Sequence, residues 1–115
     1  MDERLGPNVF RGAMSYYPIF LELAGRRCVV IGGGAVAERK VEGLLRSGAA
    51  ITVISPRQTA LLKTCAGEKK INVIAREYQP GDLKGYELAF VATEDKEVNA
   101  AVSREGKASG VWVNA

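Results

Sequence analysis

Three consecutive glycines, Gly32, Gly33 and Gly34, are the residues whose spacing points most directly to chemistry. With Ala35, Val36 and Ala37 they make the pattern G-x-G-x-x-A. Each marked position has a physical task. Gly32 lets the chain turn sharply. Gly34 has no Cβ, so a pyrophosphate can approach the backbone, and Ala37 is small enough for a helix to pack closely on a strand. Free N–H groups at the start of that helix, with the positive end of its dipole, then face the phosphates. The chemistry indicated is dinucleotide binding. Other chemistries lack their residues. The chain has no histidine, which removes the commonest general base and the commonest metal ligand, and no protein-bound metal is expected. Cys28 and Cys65 lack C-x-x-C spacing and read as buried, inert thiols. So few cysteines agree with a reducing cytoplasm.

A glycine motif is evidence only when a strand precedes it and a helix follows. Both are predicted here. Residues 27–31 are an apolar run that reads as a buried strand, and Ala37, Val41, Leu44, Leu45 and Gly48 mark one face of a helix over 35–47. A second strand over 51–54 leads to a short helix over 58–66 with Leu61, Leu62 and Cys65 inward. A third strand is expected over 71–76 and a short helical turn over 82–85. A fourth strand over 88–92, a helix over 96–108 opened by Thr93-Glu94-Asp95, and a fifth strand over 111–114 complete the pattern. Alternating strands and helices predict an α/β fold, a doubly wound, mostly parallel sheet of about five strands with helices on both faces. Its ligand crevice lies above strands one and four. Three loops meet there: the glycine turn for the pyrophosphate, Ser55-Pro56-Arg57 for the adenosine ribose, and Ala92-Thr93-Glu94 for the middle of the dinucleotide.

A chain of 115 residues is one domain. Residues 1–14 read as a flexible arm and 15–115 as the dinucleotide-binding domain. The apolar cluster that begins at Tyr16 and Tyr17 is expected to pack against the sheet edge. No apolar run reaches the length of a membrane span, and the start resembles no secretory leader. The net charge of +3 is scattered as pairs such as Arg26-Arg27 and Lys69-Lys70. That pattern argues against nucleic acid as a partner. A soluble cytoplasmic protein is expected.

The second loop departs from the common dehydrogenase pattern. An acid usually stands about 20 residues after the glycines to bind the ribose hydroxyls; here the position holds Ile54 or Ser55. Ser55 can offer one hydroxyl. Arg57 can face a 2′-phosphate, stack on adenine, or simply be a solvated arginine. Chemistry alone leans towards NADP.

Several stretches together resemble a known family. These are 17–21 (YPIFL), 29–40 (VVIGGGAVAERK), 51–56 (ITVISP), 91–95 (VATED) with Val98-Asn99, and Val113-Asn114. They look like the N-terminal NAD-binding domain of siroheme synthase, the precorrin-2 dehydrogenase family. The resemblance covers roughly residues 15–115. It implies a Rossmann-like domain that takes part in oxidising precorrin-2, a carboxylate-rich tetrapyrrole, to sirohydrochlorin. NAD, rather than NADP, is then the acceptor. Some members also insert iron. By position, Ala35 and Val36 meet the pyrophosphate, Pro56 and Arg57 frame the adenosine, and Ala92 and Thr93 lie along the dinucleotide. The resemblance further implies a homodimer in the longer protein. The family's catalytically important aspartate falls beyond Ala115, so no catalytic residue is assigned here. The chain alone is expected to bind dinucleotide without appreciable turnover. Two other readings share the glycine motif: a non-catalytic NAD(P)-sensing domain and a methyltransferase. Both usually carry an acid where Ser55 stands.

Overall fold

The computed structural model describes residues 17–115. The expected arm over 1–14, and Tyr16, lie outside the described residues. The centre of the sheet is built from three near-continuous apolar strands, β1 (Arg27–Ile31), β2 (Ala50–Ile54) and β4 (Leu88–Val91). Such runs suit strands covered on both faces, as in parallel sheets. Short strands β3 (Asn72–Ile74) and β5 (Trp112–Asn114) form the edges, where shortness limits the unpaired backbone left open. The order is β3-β2-β1-β4-β5. Every pairing is parallel, with Ile31 level with both Ile54 and Val91. The strand order reverses between β1 and β4, and this places the ligand crevice of an open α/β sheet above their carboxyl ends.

Alternation along the strands divides the core in two. Cys28, Val30, Ile51 and Val53 point to one face, where they meet Ala37, Val41 and Leu44 of α1 (Ala35–Arg46) and Leu62 of α2 (Ala60–Gly67). Val29, Ile31, Ile54 and Ala89 point to the other, where they meet Val102 of α3 (Lys96–Ser109) and Leu83. Helices therefore cover both faces, as the alternation of elements predicts. Both cysteines are buried and free, and burial pushes the Cys28 thiol above its ordinary range.

Four local expectations are corrected. Helix α2 starts at Ala60, two residues late, because Thr59 is its N-cap and accepts the Leu62 N–H at 3.3 Å. Its buried stripe is Leu62 and Cys65, while Leu61 is 39% exposed, not inward; adjacent helical residues stand about 100° apart. Strand β3 ends at Ile74, and Arg76 turns away to hold Asp82 through two hydrogen bonds of 2.7 and 2.8 Å. That guanidinium keeps the Asp82 carboxyl below its usual range. Residues 82–85 lie in a run of turns closed by the Lys84 N–H to Gly81 and Tyr86 N–H to Leu83 hydrogen bonds, with Leu83 buried. Lastly, Tyr17, Ile19 and Phe20 are exposed instead of packed on the sheet edge; Leu23, four residues before β1, is the first to reach the core.

Helix α3 approaches β5 closely at Gly106. A Cβ there would stand 2.3 Å from Val113 Cγ2 and 2.9 Å from the Val111 carbonyl oxygen. In an open helix, Gly→Ala would gain about 1 kcal/mol, but overpacking costs about 1–3 kcal/mol, and a backbone oxygen cannot rotate aside. Gly106→Ala is therefore expected to lower stability by about 1 kcal/mol or more, read as a lower urea midpoint with an unchanged slope.

Candidate functional site

The site begins where β1 ends. Gly32 has φ +129°, and a Cβ on it would stand 2.3 Å from the Ala92 carbonyl oxygen. Its N–H donates to the Ile54 carbonyl at 3.0 Å, and the Ala92 N–H donates to Ile31 at 2.8 Å. The exit from β1 is thus fixed from both neighbouring strands. Gly33 comes closer still to its surroundings. A Cβ on it would lie 1.8 Å from the Arg57 carbonyl oxygen and 2.9 Å from Ser55 Oγ, and its own carbonyl accepts the Thr59 N–H at 3.0 Å. The glycine turn and the β2–α2 loop are in backbone contact.

Gly34 differs from both. It is the extended N-cap of α1 with no side-chain cap, and a Cβ on it would meet nothing within 4 Å. The first helical bond runs from Glu38 N–H to the Gly34 carbonyl at 3.0 Å. The N–H groups of Ala35, Val36 and Ala37 precede it and have no acceptor within the helix. Gly34, Ala35 and Val36 are exposed. Open space, free donors and the positive end of a 12-residue helix coincide here, which is the arrangement an anion requires.

A cleft of about 350 Å³ opens beside this turn at the carboxyl ends of the strands. Of the predicted residues, Gly32, Gly34, Ser55, Pro56, Arg57, Ala92 and Thr93 line it together. Ala35 and Val36 stand exposed at the helix start. Ala37 is fully buried and does not line the cleft; it lies in the core between α1 and the sheet. Ser55 is nearly buried, and its Oγ accepts the Arg57 N–H at 3.3 Å, leaving the hydroxyl proton free to be donated. Arg57 is exposed at the mouth.

The cleft is also lined by Glu77, Tyr78 and Val98, to which the sequence assigns no site role, and by Asp95, an acid expected near the mouth as a helix cap. Gly33, expected only as part of the pyrophosphate turn, makes the tightest contact of the three glycines. Asp95 is held as the cap of α3, accepting the N–H groups of Glu97 at 2.9 Å and Val98 at 3.3 Å, in the capping role expected of it. Tyr78 donates its hydroxyl to Glu105 of α3, whose carboxylate also accepts the N–H groups of Gly81 at 3.0 Å and Leu83 at 2.9 Å. Burial and that carboxylate push the phenol well above its ordinary range. No periodicity signals this link, because it joins a turn to a helix 27 residues away. Among the described residues no group of three or more His, Cys, Asp or Glu could hold a metal ion. No described helix is long and apolar enough to cross a membrane.

Comparison with known proteins agrees with this geometry. Residues 19–115 match the family described as "Putative NAD(P)-binding". The chain is 44% identical over 101 residues to a siroheme synthase of Methylobacillus flagellatus, covering 88% of this chain and 22% of that protein. It is 41% identical, over the same shares, to a siroheme synthase of Chromobacterium violaceum. Among solved structures it is similar to SirC, precorrin-2 dehydrogenase, with a TM-score of 0.78 and 33% identity over 87% of this chain and 49% of that one. The chain therefore spans about a fifth of the siroheme synthases and about half of the dehydrogenase.

The glycines separate into two kinds by experiment. Gly33→Ala would force the Arg57 backbone aside and is expected to cost at least about 2 kcal/mol of stability, as strained core positions do. Gly34→Val projects into open space; the change costs α1 at most about 1 kcal/mol as a poorer cap. Its main effect is expected on NAD, with affinity falling at least tenfold, about 1.4 kcal/mol. Thermal unfolding and calorimetric titration of both variants check this. Unchanged affinity in Gly34→Val would reduce the motif to a turn.

Proposed function

The chain belongs to the NAD(P)-binding family, and on that premise we propose that it is the NAD-binding part of a siroheme-biosynthesis enzyme that oxidises precorrin-2 to sirohydrochlorin. The observation that carries the reading is the uncapped, open start of α1 at the point where the strand order reverses. Gly32, Gly34, Ala35 and Val36 receive the pyrophosphate, with Ala37 holding the helix against the sheet beneath them. Ser55, Pro56 and Arg57 frame the adenosine, and Ala92 and Thr93 run along the nicotinamide half. Likeness to siroheme synthases and to a precorrin-2 dehydrogenase supports the substrate.

When bound, NAD supplies the hydride acceptor. Two hydrogens leave precorrin-2, one as hydride to the nicotinamide and one as a proton to solvent. The part of this chain is to bind and orient the acceptor. Positioning of that kind supplies about 7–11 kcal/mol of a barrier in favourable cases. Asp95 and Tyr78 are both committed to hydrogen bonds within the fold, so neither is assigned the proton. The macrocycle is held by parts of the longer protein, which works as a cytoplasmic homodimer.

NAD is preferred over NADP by likeness to the family, against the lean of Arg57. Arg57 packs beside the adenosine rather than on a 2′-phosphate, so Arg57→Ala is expected to weaken NAD and NADP about equally, by a few-fold. A competition titration checks this; tighter NADP binding that Arg57→Ala abolishes would reverse the assignment. The activity itself is tested by mixing the longer protein, NAD and precorrin-2 without oxygen and following NADH. NADH formation is expected in step with loss of precorrin-2. Tight NAD binding without NADH formation would leave the chain a nucleotide-binding module and overturn the enzymatic reading.

A further inference from the structure

The start of α1 carries a carboxylate that would compete with a phosphate there if it folded back onto the free N–H groups. Glu38 lies in the first turn, four residues after Gly34, and residues four apart share a helix face. A carboxylate in this position is drawn to the same free N–H groups and dipole end that a phosphate needs. Acidic side chains near a helix start do fold back onto such donors, as in the capping box.

Glu38 does not fold back. Its Oε1 accepts the Thr59 hydroxyl at 2.8 Å, in a partly buried position. Thr59 is the N-cap of α2, and its Oγ1 accepts the Leu62 N–H at 3.3 Å. Its own N–H donates to the Gly33 carbonyl at 3.0 Å. One residue thus joins α1, α2 and the glycine turn. The positive end of α2 adds to the pull on the carboxylate.

We propose that Thr59 is a positioning residue for the phosphate-binding turn: its hydroxyl holds the Glu38 carboxylate against α2 and off the free N–H groups of α1, leaving them open to the pyrophosphate. The role needs a side chain that donates and accepts at one oxygen. Serine meets that need and valine does not. The inference rests on the dinucleotide reading above and adds to it a residue that does not touch the ligand.

The test is calorimetric titration of the purified chain with NAD and with ADP, alongside thermal unfolding of each variant. Thr59→Ser and Glu38→Gln are each expected to bind within about twofold of the parent chain. Thr59→Val frees the carboxylate and should weaken both ligands about fivefold, the size of a charge effect at a helix end. Adding Glu38→Gln to Thr59→Val removes the competing charge and should restore affinity to within about twofold of the parent. A merely structural cap predicts no such rescue, so a double variant as weak as Thr59→Val overturns the proposal. Parent-like binding by Thr59→Val also overturns it. If the parent chain binds neither NAD nor ADP, the dinucleotide reading fails and this one with it. Should Thr59→Val not fold, Thr59→Asp replaces it. Asp keeps a cap on α2 but repels Glu38, and rescue by Glu38→Gln is again the supporting result and its absence the overturning one.

Discussion

The structure depends on one backbone contact, the approach of the glycine turn to the β2–α2 loop. No side chain fits between Gly33 and the Arg57 carbonyl, where an added Cβ would stand 1.8 Å away. That contact sets the direction in which the chain leaves β1, and hence where α1 begins. It also brings the glycine turn and the β2–α2 loop into one edge of the cleft. The neighbouring hydrogen bonds, Gly32 to Ile54 and Thr59 to Gly33, are satisfied only in this geometry. A buried amide left without its partner costs about 1–3 kcal/mol, so the loops are held together by more than packing.

The rest of the fold supplies what that edge needs. A parallel sheet requires cover on both faces, and α1 with α2 covers one. The other is covered partly by α3 and partly by a segment without a helix, residues 75–87. Such a segment has backbone groups that no helix satisfies. Glu105 answers for two of them, accepting the N–H groups of Gly81 and Leu83, and its carboxylate also accepts the Tyr78 hydroxyl. Arg76 and Asp82 brace the same loop. The cleft wall at Tyr78 is therefore anchored to α3, two turns below the point where Asp95 and Val98 line the mouth.

This explains what the sequence made legible and what it did not. Strand β1 is read to the residue, because an apolar run between Arg27 and a glycine turn has few alternatives. The start of α1 and its end at Gly48, with φ +77°, are marked by glycines whose backbone angles or contacts demand them. Seven predicted residues meet in one cleft because each stands at the carboxyl end of a central strand, a position set by topology. The failures are set by side-chain hydrogen bonds that periodicity does not signal. Leu61 looked buried until the cap at Thr59 fixed the phase of α2. Residues 75 and 76 looked like strand until Arg76 found Asp82. Tyr78 carries no local signal at all, since only the return of α3 brings Glu105 to it.

The candidate cradle is made of main chain, and this bears on how such a site recognises its ligand. Backbone N–H groups have no side-chain charge to match, so they accept any phosphate that reaches them. Discrimination must then come from the groups around them. Glu38 is the charge closest in sequence to the turn, and an anion at the helix start would gain if that charge were held aside, as its bond to Thr59 holds it. The 55–57 loop itself carries no acid, whereas Glu77 and Asp95 line the same cleft. By charge alone that loop, with Arg57 exposed at the mouth, favours a nucleotide carrying a 2′-phosphate. The course of the 55–57 backbone is fixed by the Gly33 contact and by the Gln58 side chain, which donates to the Ser55 carbonyl. In this fold the Gly33–Arg57 contact that fixes where α1 begins also fixes the cleft wall formed by the 55–57 loop.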